Sequence, residues 1–309
     1  MVPVAILVTM GVFILVRLSP GDPALVFAGE ERDPPAIAAI RDEMGLNQPM
    51  PIQYVVWMGH LLQGDLGRSF LTHQRVLEAV SERLPATLEL GLAALLISIS
   101  VSLVIGILSA VKRNSIVDLL STSITLAGVS FPSFFLGIVL ILLFAYVIPG
   151  HIFPPGGYVP LTQDPADNLR RLILPAVTLA TASLAVNLRQ VRSSLLDVFG
   201  HEYIRTARAK GLREGAVITR HALKNALIPV ITLIGIQVGA IIEGAFITEN
   251  IFFWPGIGRL AVQAIPSSDY PVVQGVVLIS AFSYMLSTLL VDILYAWVDP
   301  RISFETAAV

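Results

Sequence analysis

Six stretches of the chain are apolar over long runs: Val2 to Leu18, Ala86 to Val111, Leu119 to Ile148, Leu172 to Leu188, Ala226 to Ile247 and Val272 to Val298. A bilayer core about 30 Å thick takes about 17 to 25 mostly apolar residues per helix, because lipid offers the backbone no hydrogen-bond partner and a helix satisfies its own. The pattern therefore predicts an all-α integral membrane protein with six spans. The third stretch is long enough to tilt or bend, with Gly128 and Pro132 where a bend would fall. Pro175 and Pro229 are expected near the starts of their spans, where a missing N–H costs least. The first stretch reads as a retained span, since no Lys or Arg precedes Arg17 and "LSPGDP" follows where a cleavable leader would carry small residues.

Between the first two spans, Ser19 to Pro85 is punctuated by Gly45, Pro49, Pro51, Gly64 and Gly67. Helical spacing recurs in Ile37, Ile40 and Met44, and again in Val55, Met58 and Leu62. A disordered linker would be less apolar, so a small folded cap is expected. Composition agrees with the spans: 55% of residues are hydrophobic and only 14% charged, against about 25% charged in a soluble domain. A net charge of −2 gives no sign of a nucleic-acid binder. Cysteine is absent, which removes disulfides and thiolate chemistry.

Charge also orients the chain. Six spans place both termini on one side, together with the segments between spans two and three and between four and five. The first of these holds Lys112 and Arg113; the second, from Arg189 to Asn225, holds eight basic residues against three acids. Ser19 to Pro85 holds five arginines against nine acids. Lys and Arg bias short loops to the cytoplasm, so both termini and the basic loop are expected inside and the cap outside. Three regions result: residues 1–85, the first span and cap; 86–298, a five-helix core containing loop 189–225; and 299–309, a cytoplasmic tail.

Within the loop, "HEYIRTARAK" puts Glu202 in the first helical turn and Arg208 and Lys210 in the last, complementing a helix dipole, with Gly211 placed as a left-handed C-cap. A second run from Arg213 puts Val217, Leu223, Ala226 and Leu227 near one face. On charge alone the loop would rest on anionic lipid. Topology requires neither the glycine turn nor Ala207 and Ala209, whose small side chains would admit another protein surface. Tyr203, Ile204 and Ala207 offer a small apolar face while Arg205, Arg208 and Arg213 project elsewhere, and a docking element for a soluble partner is the sharper expectation.

"EYIRTARAKGL" and "VITRHALKNALIPV" resemble the cytoplasmic-loop signature of ABC importer permeases, in the dipeptide, oligopeptide and nickel branch. "LSPGDP", "GDLGRSF", "FPSFFLG", "ENIFFWPGIGRL", "DYPVVQG" and "LVDILYAWVDPRI" follow that branch in order along nearly the whole chain. The general permease signature is Glu-Ala-Ala, three residues, Gly, nine residues, Ile-x-Leu-Pro. With Gly211 as its glycine, Arg205, Thr206 and Ala207 stand at Glu-Ala-Ala and His221 to Lys224 at Ile-x-Leu-Pro; only Ala207, Gly211 and Leu223 match, and the proline comes late, at Pro229. The resemblance implies a type I ABC importer permease fold. It also implies partners: a second permease, two ATP-binding subunits and an extracytoplasmic solute-binding protein. The loop would be the coupling helix, with Glu202, Tyr203, Arg205, Thr206, Ala207, Arg208, Gly211, Leu212, Arg220 and His221 as its candidate residues.

No lysine here is flanked as a phosphate-binding P-loop requires, so ATP and Mg are expected in partner subunits, with no cofactor, metal or catalytic residue in this chain. G-x-S-x-G and H-E-x-x-H are absent. Glu243 is a candidate beside the pathway or an interhelical hydrogen-bonding group. Trp254, Pro255 and Gly256 read as an interfacial turn or as the lining of an outer gate. Gly235, Gly239 and Gly244 are expected in close helix packing. An ion-coupled secondary transporter is the alternative; it would show inverted repeats and paired intramembrane charges. Peptides are the expected substrate class, with glutathione or a nickel chelate as alternatives, and a bacterial or archaeal cytoplasmic membrane the expected location.

Overall fold

The computed structural model describes residues 2–18, 22–28, 33–148, 152–241 and 245–298, and the regular structure among them is helical. Helix α1 is Val2–Leu18, followed by the short helices α2 (Pro23–Ala28), α3 (Pro34–Glu43) and α4 (Met50–Leu62). The core holds α5 (Val76–Val111), α6 (Ile116–Ser130), α7 (Ser133–Ile141, running into a π turn at Leu142–Val147) and α8 (Pro165–Phe199). Next come α9 (Glu202–Ala209), α10 (Glu214–Ala216), a π turn at Val217–Ala222, α11 (Leu223–Ala226) and α12 (Ile228–Gly239). The described chain ends with α13 (Phe246–Ile251), α14 (Ile257–Ala264) and α15 (Tyr270–Val298).

Two parallel helices form the spine, Ala86 lying by Leu172, Ser98 by Asn187 and Ala110 by Leu195. With 36 and 35 residues, α5 and α8 are each roughly 50 Å long at 1.5 Å per residue, well beyond the hydrocarbon thickness. Hydropathy reports only their lipid-level portions. Both helices start earlier, at Val76 and Pro165, so Pro85 and Pro175 lie inside helices and not near their starts. The boundary expected at residue 85 falls within α5. A stripe of Gly91, Ala94, Ser98, Ser102, Gly106 and Ser109 is buried along α5, and small residues let backbones approach where lipid gives no hydrophobic drive. At Gly106 a Cβ would sit 2.7 Å from Val191 Cγ1 of α8. Three apolar clusters follow α5 from end to end. One joins Val76 and Val80 to Ile257, Ala261 and Val276; a middle one joins Ala86 and Leu90 to Leu172, Ala176 and Trp254; the last joins Ala110 to Val191, Leu195, Ile204 and Val217.

The bend expected in the third stretch is a break. Helices α6 and α7 meet at 104°, across Phe131 and Pro132, because proline disfavours helical geometry at the residue before it and supplies no N–H. Gly128 packs instead of bending: its Cβ would lie 2.9 Å from that of Ala185. The fifth stretch is also divided. At its start a 51° bend separates Glu214–Ala226 from α12, with Pro229 in the first turn of α12 as expected. Helix α12 ends at Gly239 and α13 is a separate helix, so one continuous span to Ile247 is not what forms. Gly239 is a close-packing site, 3.1 Å from Ser287 Cβ by its own Cβ, whereas Gly244 lies outside the described residues. Among the described residues, α5, α8 and Tyr270–Leu290 of α15 are long and apolar enough to cross a membrane, and the two bent pairs would make five; α1 is apolar but has 17 residues.

A polar junction ties three of these helices together. Asn187 of α8 donates to Ser98 of α5 at 3.0 Å and exchanges two amide hydrogen bonds with Gln237 of α12, at 3.0 and 2.9 Å.

Helices α3 and α4 form in the expected cap, with α4 one position off in register. Val55 and Leu62 are exposed, and the face covered by α1 carries Tyr54 and Trp57 against Phe13, with ring centroids at 5.4 and 5.6 Å. The Tyr54 and Thr9 hydroxyls are 2.9 Å apart. Beyond α4, two sequence motifs meet: the Ser69 hydroxyl and the Phe70 amide of "GDLGRSF" both donate to the buried Asp269 carboxylate of "DYPVVQG", at 2.5 and 3.0 Å. Ser69→Ala removes one of these bonds to a buried charge, and is expected to cost about 1.5–3 kcal/mol. Faster limited proteolysis within residues 34–75 is the readout, and an unchanged cleavage rate would refute the clamp.

Candidate functional site

The basic loop projects from the end of the spine opposite the cap. Helix α8 stops at Phe199, and His201 takes extended geometry before α9 begins. Glu202 lies in the first turn of α9 and Arg208 in the last, as the dipole argument requires. The turn at its C-terminus is closed by Gly211 N–H donating to Arg208 O at 2.9 Å. Gly211 has φ +75°, and a Cβ there would meet nothing within 4 Å. Glycine is needed for its left-handed backbone, and not for space.

The apolar face of α9 points inward. Ile204 is fully buried and Ala207 nearly so, packed with Val191, Leu195 and Val198 of α8, Ala110 of α5, and Val217, Ala222, Ala226 and Val230 beyond the turn. Of the two alanines expected to admit a partner, Ala207 is turned inward and with Ile204 fastens the helix to its own bundle, whereas Ala209 is exposed. The π turn also changes the second run, bringing Ala222 into this cluster. What faces out is polar. Glu202, Tyr203, Arg205, Thr206, Arg208, Gly211, Leu212 and Arg220 are exposed, and His221 is half-buried. Arg205 pairs with Glu202 at 2.8 Å, and Arg208 grips Glu214 with two bonds, at 2.6 and 3.2 Å. Asn225 donates to the Tyr203 hydroxyl at 2.8 Å, bracing α9 against α11. The result is a charged, well-braced ledge with Tyr203 and Leu212 as its exposed apolar contacts.

One group beside this ledge escaped the sequence reading. Arg192 of α8 forks onto Asp118 in the first turn of α6, at 2.6 and 2.9 Å. Asp118 also accepts from the Ser109 hydroxyl at 2.6 Å and the Asn114 amide at 3.0 Å. A signal was present in "SIVD", Ser115 to Asp118, an N-cap serine with an acid three residues on. The partner on α8 had no such signature.

Of the outer-gate candidates, Trp254 and Gly256 are buried and Pro255 is half-buried. Trp254 is fully enclosed, its indole N–H donates to Ala86 O at 2.8 Å, and Tyr158 meets its ring edge-on at 4.7 Å. Glu249 is buried beside it, accepting from Thr87 Oγ1 at 2.7 Å and from Arg259 N–H at 3.0 Å. Burial pushes its carboxyl up from the usual range. A Cβ on Gly256 would fall 2.0 Å from Glu249 Oε1. Trp254 and Gly256 are packed within the chain's own core, with half-buried Pro255 between them. Nearby, burial and a hydrogen bond to Glu89 push the Tyr158 hydroxyl up to about 12. Glu243 lies outside the described residues.

Residues 102–304 match the family described as the binding-protein-dependent transport system inner membrane component, and residues 1–91 match the N-terminal part of such membrane components. The chain belongs to this permease family. It is 43% identical over 304 residues to a Brucella suis protein named for a peptide transport system permease, covering 98% of this chain and 96% of the relative. It is 39% identical over 305 residues to the glutathione transport system permease protein GsiC of Salmonella typhimurium, covering 99% and 96%. A crystal structure of an amino acid ABC transporter with histidines aligns at 16% identity and a TM-score of 0.48, over 73% of this permease and 95% of that chain. Membership makes this permease the membrane component of an ABC import system, with several apolar helices in the inner membrane.

Proposed function

We propose that this permease carries peptides through the membrane of a bacterial or archaeal cell, in complex with a second permease, two ATP-binding subunits and an extracytoplasmic solute-binding protein. Both termini and loop 189–225 would be cytoplasmic. ATP and Mg would be held by the partner ATPases, and the ledge formed by α9 and Gly211 would dock onto them. The observation that carries this reading is the ledge itself. Its apolar residues lock it to α8 and α5, while its polar face is left outward. A docked partner moves the permease only if the ledge binds its two states with different free energy, and a braced ledge passes that difference on to the helices behind it. Peptides are favoured by the 43% identical relative; glutathione is the second reading, from the 39% identical one. Family membership displaces the ion-coupled alternative.

The test is import by the complete transporter in proteoliposomes, with ATP inside the compartment bearing the ATPases. Labelled di- and oligopeptides should accumulate only with ATP and should not respond to a sodium or proton gradient. Competition by glutathione or a nickel chelate, with none by peptides, would overturn the peptide assignment. Gradient-driven import without ATP would overturn the importer.

A further inference from the structure

We propose that Asp118 and Arg192 are positioning residues that carry movement of the docking ledge into the broken α6–α7 span, and so set how much substrate crosses per ATP hydrolysed. This rests on the importer reading above. The Asp118 carboxylate, only 5% exposed, is where three segments converge: Ser109 at the end of α5, Asn114 in the turn that follows, and Arg192 of α8. Arg192 sits beside Val191, and the face formed by Val191, Leu195 and Val198 grips Ile204 and Ala207 of the ledge. The same last turns of α8 thus hold the ledge on one side and Asp118 on the other.

Elsewhere α6 is joined to α8 by weaker means. Buried Ser121 and Thr125 give their hydroxyls to carbonyls of α6 itself, and Gly128 meets Ala185 by close packing. Among the described residues, the Asp118–Arg192 fork supplies the only side-chain hydrogen bonds between α6 and α8. Packing of small residues is non-directional and tolerates slip, whereas a planar guanidinium on a carboxylate fixes both distance and angle. Displacement of the ledge therefore passes through α8 and this fork to the start of α6. From there α6 runs about 20 Å, at 1.5 Å per residue, to the break at Phe131 and Pro132.

This chain has no cysteine of its own, so two introduced thiols are its only ones, and the same reagent on the parental transporter controls for thiols of the partner subunits. In the complete transporter in proteoliposomes, the double variant Asp118→Cys with Arg192→Cys should keep ATP hydrolysis near the parental rate. Its substrate imported per ATP should fall about tenfold, within the range that coupling free energies span. Joining the two thiols with a short bifunctional reagent should restore most of that ratio. A ratio unchanged in the unlinked variant, import and hydrolysis falling in proportion, or a linked variant no better than the unlinked one would each overturn the proposal. If the double variant does not insert, Arg192→Lys serves instead. It keeps the charge and loses the fork, so the ratio should fall in the same direction by a smaller factor; an unchanged ratio overturns the proposal. If the parental transporter imports nothing with ATP, the importer reading fails and this role falls with it.

Discussion

Gly211→Val should leave the permease inserted and its helices intact, yet remove most of the substrate-stimulated ATP hydrolysis in the assembled transporter. Its φ of +75° lies in the left-handed region, where a β-branched residue costs about 1–3 kcal/mol. No atom lies within 4 Å of the new Cβ, so the strain is relieved by moving the turn and not by repacking the bundle. The turn sets where Leu212 and the Arg208–Glu214 pair face. Stimulated hydrolysis should drop by about tenfold or more, the scale of a coupling free energy near 1.4 kcal/mol. Gly211→Ala should give a milder loss in the same direction. Normal stimulation in the valine variant would rule out the turn as part of the ATPase contact.

Trp254→Ala should be the most destabilising single change in the chain. Truncating a fully buried tryptophan costs about 3–5 kcal/mol. Here it also removes the indole hydrogen bond to Ala86 O and the edge-on partner of Tyr158. Trp254→Phe should retain most of the packing and lose about 0.5–1.5 kcal/mol through the missing indole hydrogen bond. The unfolding midpoint of the permease in nanodiscs should fall in the order parent, phenylalanine, alanine. If alanine and phenylalanine were equivalent, the indole hydrogen bond and not the packing would be the dominant contribution.

Periodicity gave most of the elements and little of their joints. Helix α1 and helix α15 form close to the expected limits, because an uninterrupted apolar run is its own signal. The starts of α5 and α8 were missed, since residues such as Ala79, Val80 and Asn168 are buried by protein where hydropathy reads a loop. The α6–α7 break was marked by Pro132, but its 104° angle depends on what packs around it. In the ledge, Gly211 and the charges of α9 were legible from local rules, whereas the inward turn of Ile204 and Ala207 follows from α8 and could not be read from the loop alone. Trp254 misled for the same reason. A tryptophan followed by proline and glycine resembles an interfacial turn until Ala86, some 170 positions earlier, accepts the indole N–H and Thr87 accepts the amide of Ile257 that follows.

The amide pair between Asn187 and Gln237 restricts how the bundle can move. Each side chain is donor and acceptor to the other, so sliding α12 along α8 by one turn would part both bonds at once in a setting with few replacement partners. Swivelling about the pair keeps both. The junction with Ser98 therefore acts as an axle: α12 can tilt against the α5–α8 spine, widening one end of the bundle as the other narrows, while its height in the membrane stays fixed.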